Sequence, residues 1–258
     1  MGERTRHEPG TFSWADLSTT DQDDAKRFYG ELFGWAFEDA PAGEGVVYSM
    51  ARIDGRDVGA ISPQPQQQRE AGVPPLWNSY ITVSSADTAG ERIAAAGGSV
   101  HAGPFDVFDA GRMAVAQDPQ GAFFMVWEPR RQVGAGLVNA PGALCWNELA
   151  TTDLDAARGF YRDVFGWDIG APEGDMEYAM VMNGDRQNGG ARTTQPGEPP
   201  HWLVYFGTDD VDATMAKTRE LGGDVVAGRI DMGDTGSVAV LRDPQGAVFA
   251  VFAGGFDD

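Results

Sequence analysis

Apolar positions along this chain switch between a two-residue and a helical period, and they do so in the same order twice. A short apolar strand, Phe12–Leu17, runs into Thr-Thr-Asp, which is helix-capping chemistry. Ala25, Phe28, Tyr29, Leu32 and Phe33 then recur at helical spacing up to a stop at Gly34. A hairpin follows, Val46–Ile53 and Val58–Ile61 around Asp54-Gly55. After a Pro/Gln-rich loop starting at Pro63 come a strand (Trp77–Val83), a helix (Asp87–Ala96), a Gly-Gly stop, and two strands, Met113–Ala116 and Ala122–Trp127, flanking Asp-Pro-Gln-Gly. The second half repeats each step: strand Leu144–Ala150, a helix carrying Ala157, Phe160, Tyr161, Val164 and Phe165 up to Gly166, a hairpin turning at Asn183-Gly184, strand Trp202–Gly207, helix Val211–Leu221, and strands Val238–Leu241 and Ala247–Phe252.

The repetition extends to residue identities. WxxLxTTDxDxA and FYxxxFGW recur at an offset of 146 − 14 = 132, and Pro-Pro-x-Trp and DPQGA at 202 − 77 = 125. The second copy is therefore 132 − 125 = 7 residues shorter between those landmarks, where loops vary. The pattern predicts an α+β protein of two tandem modules: a tail at 1–9, modules at 10–128 and 142–254, and a Gly-containing linker at 129–141.

Composition narrows the function classes. With 19 Lys+Arg against 39 Asp+Glu the formal charge is −20, a field that repels nucleic acid and anionic membrane. The acidity is first of all a solubility trait. One cysteine, Cys145, excludes an intrachain disulfide and a thiolate metal cluster, and its place on a strand suits a buried small hydrophobe. The polar N-terminus is unlike a signal peptide and no apolar run is long enough for a bilayer, so the chain reads as cytoplasmic. P-loop, GxGxxG and GxSxG motifs are absent.

A strand ending in Thr-x-Asp, an FYxxxFGW helix and a closing DPxG strand resemble the vicinal-oxygen-chelate fold of the glyoxalase/bleomycin-resistance protein/dioxygenase superfamily. The resemblance implies paired βαβββ units curled around a cleft, four units and two clefts in all. It also implies a divalent metal held by His, Gln and Glu at set strand positions. Those positions here carry Trp14, Asn78, Met125 and, near the hairpin, Ala60; in the second half they carry Trp146, Leu203, Ala250 and Gly190. Indole, thioether and methyl groups are poor ligands for such ions, and the three histidines, His7, His101 and His201, have no chelating spacing. No metal and no cofactor are expected.

Strand alternation places other side chains beside those positions. Trp14 shares a face with Asp16, Trp146 with Glu148, Asn78 with Tyr80, Leu203 with Tyr205, and Met125 with Phe123 and Trp127. Such faces suit a flat apolar or aromatic guest, although aromatics at period 2 also make plain core. Asp16 and Glu148 are candidate general acids or bases, but carboxylates at this place more often cap the Thr-Thr turn, the reading preferred here. Trp35 and Trp167 pack the helix on the sheet, and Asp118 and Asp243 form turns. Three functions stay open: a metal-free protein sequestering an aromatic or polycyclic compound, a metal-independent lyase, isomerase or hydroxylase-like enzyme using Asp16 or Glu148 with a cleft tyrosine, and an interaction protein with vestigial clefts. Any of them fits a monomer or a homodimer.

Overall fold

The computed structural model describes residues 2–43, 45–173 and 178–256. The first half contains β1 (Gly2–Glu3), β2 (Phe12–Thr19), α1 (Gln22–Phe33), β3 (Ala36–Pro41), β4 (Val47–Ile53), β5 (Arg56–Pro63), α2 (Gln66–Glu70), β6 (Leu76–Thr82), α3 (Ala86–Ala95), β7 (Ser99–Val107), β8 (Gly111–Gln117) and β9 (Phe123–Pro129). The linker carries β10 (Leu137–Val138). The second half contains β11 (Leu144–Thr151), α4 (Leu154–Phe165), β12 (Asp168–Ile169), β13 (Ala179–Asn183), β14 (Arg186–Thr193), β15 (His201–Gly207), α5 (Val211–Glu220), β16 (Asp224–Asp231), β17 (Gly236–Arg242) and β18 (Val248–Gly254).

Each half builds one mixed eight-stranded sheet, ordered β3-β4-β5-β2-β6-β9-β8-β7 and β12-β13-β14-β11-β15-β18-β17-β16. Two βαβββ units meet at a central antiparallel pair, β2 with β6 and β11 with β15, which is the vicinal-oxygen-chelate architecture. The units are completed by outer strands that the hydrophobic pattern does not disclose. β3, β7 and β16 are mostly exposed, so they carry no clean apolar alternation. The Pro/Gln-rich segment holds the short helix α2 rather than loop alone. The second hairpin turns on residues 184–185, one position beyond Asn183-Gly184, because Asn183 still pairs with Arg186.

The helices start and stop where the residue chemistry requires. Asp21 caps α1 by accepting from Asp24 N at 3.0 Å, and Asp153 caps α4 through Ala156 N at 2.9 Å. Both helices end on glycines in the left-handed region, Gly34 at φ 72° and Gly166 at φ 77°.

The helical faces of the two sheets pack against each other, and the cores are shared between the halves. One core joins Ile93 and Phe124 of the first half to Phe160, Tyr161 and Trp167 of the second; the other joins Phe28, Tyr29 and Trp77 to Phe206, Leu241 and Phe249. A polar relay crosses each core. Trp77 Nε1 donates to Tyr29 Oη (3.0 Å), and the Tyr29 hydroxyl donates to Asp243 Oδ2 (3.1 Å). Its twin runs from Trp202 Nε1 to Tyr161 Oη (2.9 Å) and on to Asp118 Oδ2 (3.0 Å). Asp118 and Asp243 do form turns, each taking three backbone N–H groups on Oδ1, but they also anchor the opposite half. Trp35 and Trp167 lie in the cores and donate to Gly142 O and Gly10 O, both at 2.8 Å.

Residues 1–9, read from the sequence as a tail, are instead tied down over the part that is described. Gly2 and Glu3 pair with Val138 and Leu137, and His7 Nε2 lies 2.9 Å from Ala135 O. The linker supplies those partners, so both connecting segments become part of the structure.

Tyr29→Phe leaves a buried indole N–H without an acceptor and removes a donor from Asp243. Urea denaturation should show a loss of about 1–3 kcal/mol for the whole chain in one transition. A loss confined to one half, seen as two separated transitions, would refute the shared core.

Candidate functional site

The face of each sheet opposite the helices carries the second set of alternating residues. In the first half Trp14, Ala60, Tyr80, Met125 and Trp127 form one buried cluster, with Tyr48, Met50, Met113 and Val115 packed at its margin. Cross-strand register explains the grouping: Trp14 lies opposite Tyr80 and Tyr80 beside Met125, while Asp16 lies opposite Asn78 and beside Ala60. In the second half Leu203, Tyr205 and Ala250 form the floor, with Trp146, Cys145, Val240 and Phe252 around them. The structure thus brings together Trp14, Asp16, Asn78, Tyr80, Met125 and Trp127 on one sheet face. Trp146, Glu148, Leu203 and Tyr205 share the matching face of the other sheet. Phe123 does not join the first cluster; it is exposed and sits 4.9 Å from the His101 ring. Cys145 falls at a bulge in β11, so it reaches the cleft cluster instead of lying between cleft positions, and its thiol faces Tyr205 O at 3.5 Å.

Asp16 and Glu148 do not cap the Thr-Thr turns. Thr19 Oγ1 and Thr151 Oγ1 take the N–H groups of Asp21 and Asp153 themselves. Asp16 is buried on that face and accepts from Asn78 Nδ2 (2.8 Å), Tyr80 Oη (2.7 Å) and Tyr48 Oη (2.9 Å). Tyr48 in turn accepts from Trp14 Nε1 at 2.9 Å. Burial pushes the Asp16 carboxyl above its ordinary range, opposed in part by those three hydrogen bonds.

Glu148 has the corresponding tyrosine and tryptophan about it, with Leu203 in place of Asn78 and a cation added. Tyr205 Oη donates to Oε2 (2.7 Å), Trp146 Nε1 donates to Tyr178 Oη (2.9 Å), and Arg192 Nε donates to Oε1 (2.7 Å). Arg192 also grips Glu198 through two bonds of 2.7 Å, which hold that carboxyl down at about 2. Tyr48, Tyr178, Arg192 and Glu198 were not singled out from the sequence. The tyrosines carry a usable signal, since both stand two residues before a hairpin Met, 178 − 48 = 130 residues apart. Arg192 carries none, because its first-half counterpart is Ser62.

The donor set does not fit the family's metal. Its positions present Trp14, Asn78, Met125 and Ala60 in one cleft and Trp146, Leu203, Ala250 and Gly190 in the other. Among the described residues no three His, Cys, Asp or Glu side chains converge. The histidines are engaged elsewhere: His101 with Gln117 (2.9 Å), His201 with Pro199 O (2.9 Å), and His7 with the linker.

The family itself is secure. The model of the Glyoxalase/Bleomycin resistance protein/Dioxygenase superfamily matches residues 11–126 and 144–251, and the chain belongs to that superfamily. A protein of Mycobacterium tuberculosis named "Putative glyoxylase CFP32" is 45% identical over 255 residues, covering 97% of each chain. The "Anthracycline biosynthesis protein DauV" of Streptomyces sp. strain C5 is 36% identical over 265 residues, covering 96% of this chain and 94% of its own. Among solved structures, the Mn(II)-bound glyoxalase of Novosphingobium aromaticivorans superposes with a TM-score of 0.67 at 16% identity, over 100% of this chain and 86% of that one, a likeness of fold. Among the described residues no helix is long and apolar enough to cross a membrane.

Two outcomes follow from these contacts. A Cβ on Gly190 would overlap Tyr178 Oη. Gly190→Ala should therefore displace Tyr178 and shift the Trp146 emission, while Gly159→Ala, where a Cβ meets nothing, should not. The depressed Glu198 carboxyl adds stability that is complete above 4.5 and is lost as the pH falls toward 2. At neutral pH that contribution is about 1 kcal/mol after allowance for solvent screening. Acid titration of Glu198→Gln should show this part of the stability slope flattened. Asp16 acts with the opposite sign, its raised pKa costing stability as the pH rises from 3.8 through its folded value.

Proposed function

We propose that this protein is a metal-free binding protein that sequesters a planar apolar or aromatic small molecule in its aromatic-lined clefts. The observation that carries the reading is the replacement pattern: where the family would hold metal ligands, Trp14, Met125 and Trp146 stand beside Tyr80, Trp127 and Tyr205. Rings and a thioether offer large apolar area, while Asn78, Asp16 and Glu148 provide a few polar points. The similarity to a protein named for anthracycline biosynthesis supports a fused-ring guest. The same reading makes the chain cytoplasmic, a monomer or homodimer, without nucleic-acid or membrane partners.

A second reading is a metal-independent lyase, isomerase or hydroxylase-like enzyme. The buried Asp16 carboxyl, held between two tyrosines and raised in pKa, favours it over a purely passive cleft. In that case Asp16→Asn would abolish turnover while binding survives.

Tryptophan fluorescence titration with neutral planar aromatics tests the binding reading. Saturable quenching is expected, and Trp14→Ala or Trp146→Ala should weaken it by about 1 kcal/mol or more, roughly fivefold in Kd. Quenching untouched by both substitutions would sink the proposal. Elemental analysis is expected to find no stoichiometric divalent metal held by Trp14, Asn78, Met125 or their second-half counterparts; a bound metal lost on mutating them would overturn the metal-free part.

A further inference from the structure

The two clefts contain one buried acid each, and only one of those acids meets a cation. Glu148 is paired with Arg192 at 2.7 Å. Asp16 accepts from three neutral donors, and among the described residues no Lys, Arg or His forms an ion pair with it. The difference traces to one position. Asp16 lies beside Ala60 and Glu148 beside Gly190 across matching parallel strands. Two residues further on, the first half has Ser62 and the second has Arg192. The Ser62 hydroxyl is spent on Leu17 O at 3.3 Å and brings no charge to Asp16.

An ionised carboxylate out of water and without a countercharge is costly, and a cationic guest would remove that cost. The surroundings suit such a guest. Tyr48 and Tyr80 bond the carboxyl and Trp14 bonds Tyr48, and aromatic faces attract ammonium groups most strongly where water is excluded. Its register neighbours are uncharged too: Ala60 on β5 and Asn78 on β6. The net charge of −20 draws cations toward the molecule as a whole but does not distinguish the clefts.

Resting on the reading that the clefts take aromatic guests, we propose that the first cleft is a site for an organic cation. Its guest is an ammonium group carried on an aromatic body, with Asp16 as counter-ion. The second cleft, whose acid is already paired with Arg192, takes uncharged guests. Ser62 and Arg192 are then the residues that set the charge preference of each cleft.

The test uses the full chain and two probes of matched shape, 2-naphthyltrimethylammonium and its neutral isostere 2-tert-butylnaphthalene, titrated by calorimetry and tryptophan fluorescence. The cation should bind at least ~10-fold tighter than the isostere. Asp16→Asn should erase that preference. Ser62→Arg, which puts a guanidinium at the position matching Arg192, should do the same by an independent route if Asp16→Asn folds poorly. Asp23→Asn removes one exposed charge on α1 and should leave the preference intact. Equal binding of both probes to the unmodified protein overturns the cation assignment while the aromatic-ligand reading stands. A preference that survives both Asp16→Asn and Ser62→Arg overturns it too, since bulk charge would then be its source. If neither probe binds, the aromatic-ligand reading fails and this inference fails with it.

Discussion

The structure depends on a buried tyrosine that must reach an aspartate in the other half of the chain. Tyr29 and Tyr161 each hold a tryptophan of their own sheet on one side and a turn aspartate of the opposite half on the other. A hydroxyl at such depth costs far more unpaired than it gains paired, so each relay admits one mutual placement of the halves. Everything apolar follows from that placement. The helices α3 and α4 pack together, and Phe28 lies edge-on to Phe249. Neither half retains a helical-side core of its own, even though each forms a complete sheet.

Burying the helical faces in shared cores leaves the opposite face of each sheet to a separate cluster of its own, and the two buried acids lie there. The two faces have diverged within one framework. Met125 and Trp127 stand in the first where Ala250 and Phe252 stand in the second. The acids have diverged as well, one solvated by neutral hydroxyl and amide donors and the other locked into an Arg192–Glu198 pair. Duplication makes such divergence possible, because one cleft can change while the shared cores keep both sheets in place.

Family membership and family chemistry separate cleanly in this molecule. The fold needs the capping aspartates, the glycine stops and the aromatic helix face, all of which are present twice. The metal needs only three or four side chains on these strands, and their positions lie in clusters separate from the shared helical-side cores. Tyr80 shows how the exchanged set holds together: it lies between Trp14 and Met125 in register and puts its hydroxyl on Asp16.

The linear pattern by itself determined the duplication, the helices with their caps, the order of the inner strands and the cleft faces, because these rest on local periodicity and on residues close along the chain. It located Trp14, Tyr80, Met125 and Trp127 on one face correctly, since a strand alternates whatever it pairs with. It did not disclose β3, β7 or β16, whose exposure erases the alternation. It placed Asp16 and Glu148 on the Thr-Thr turns, where local chemistry is plausible, although both reach across strands instead. Only the tertiary structure decided that Tyr48 lies above Asp16, that Arg192 meets Glu148, and that Asp118 serves Tyr161. Those partners are separated by 32 to 44 residues and meet only through strand register and packing between the halves, which no local signal sets. A hydrogen bond of that reach is a property of the assembled sheets, and its consequence here is that one acid is paired with a cation and its twin is not.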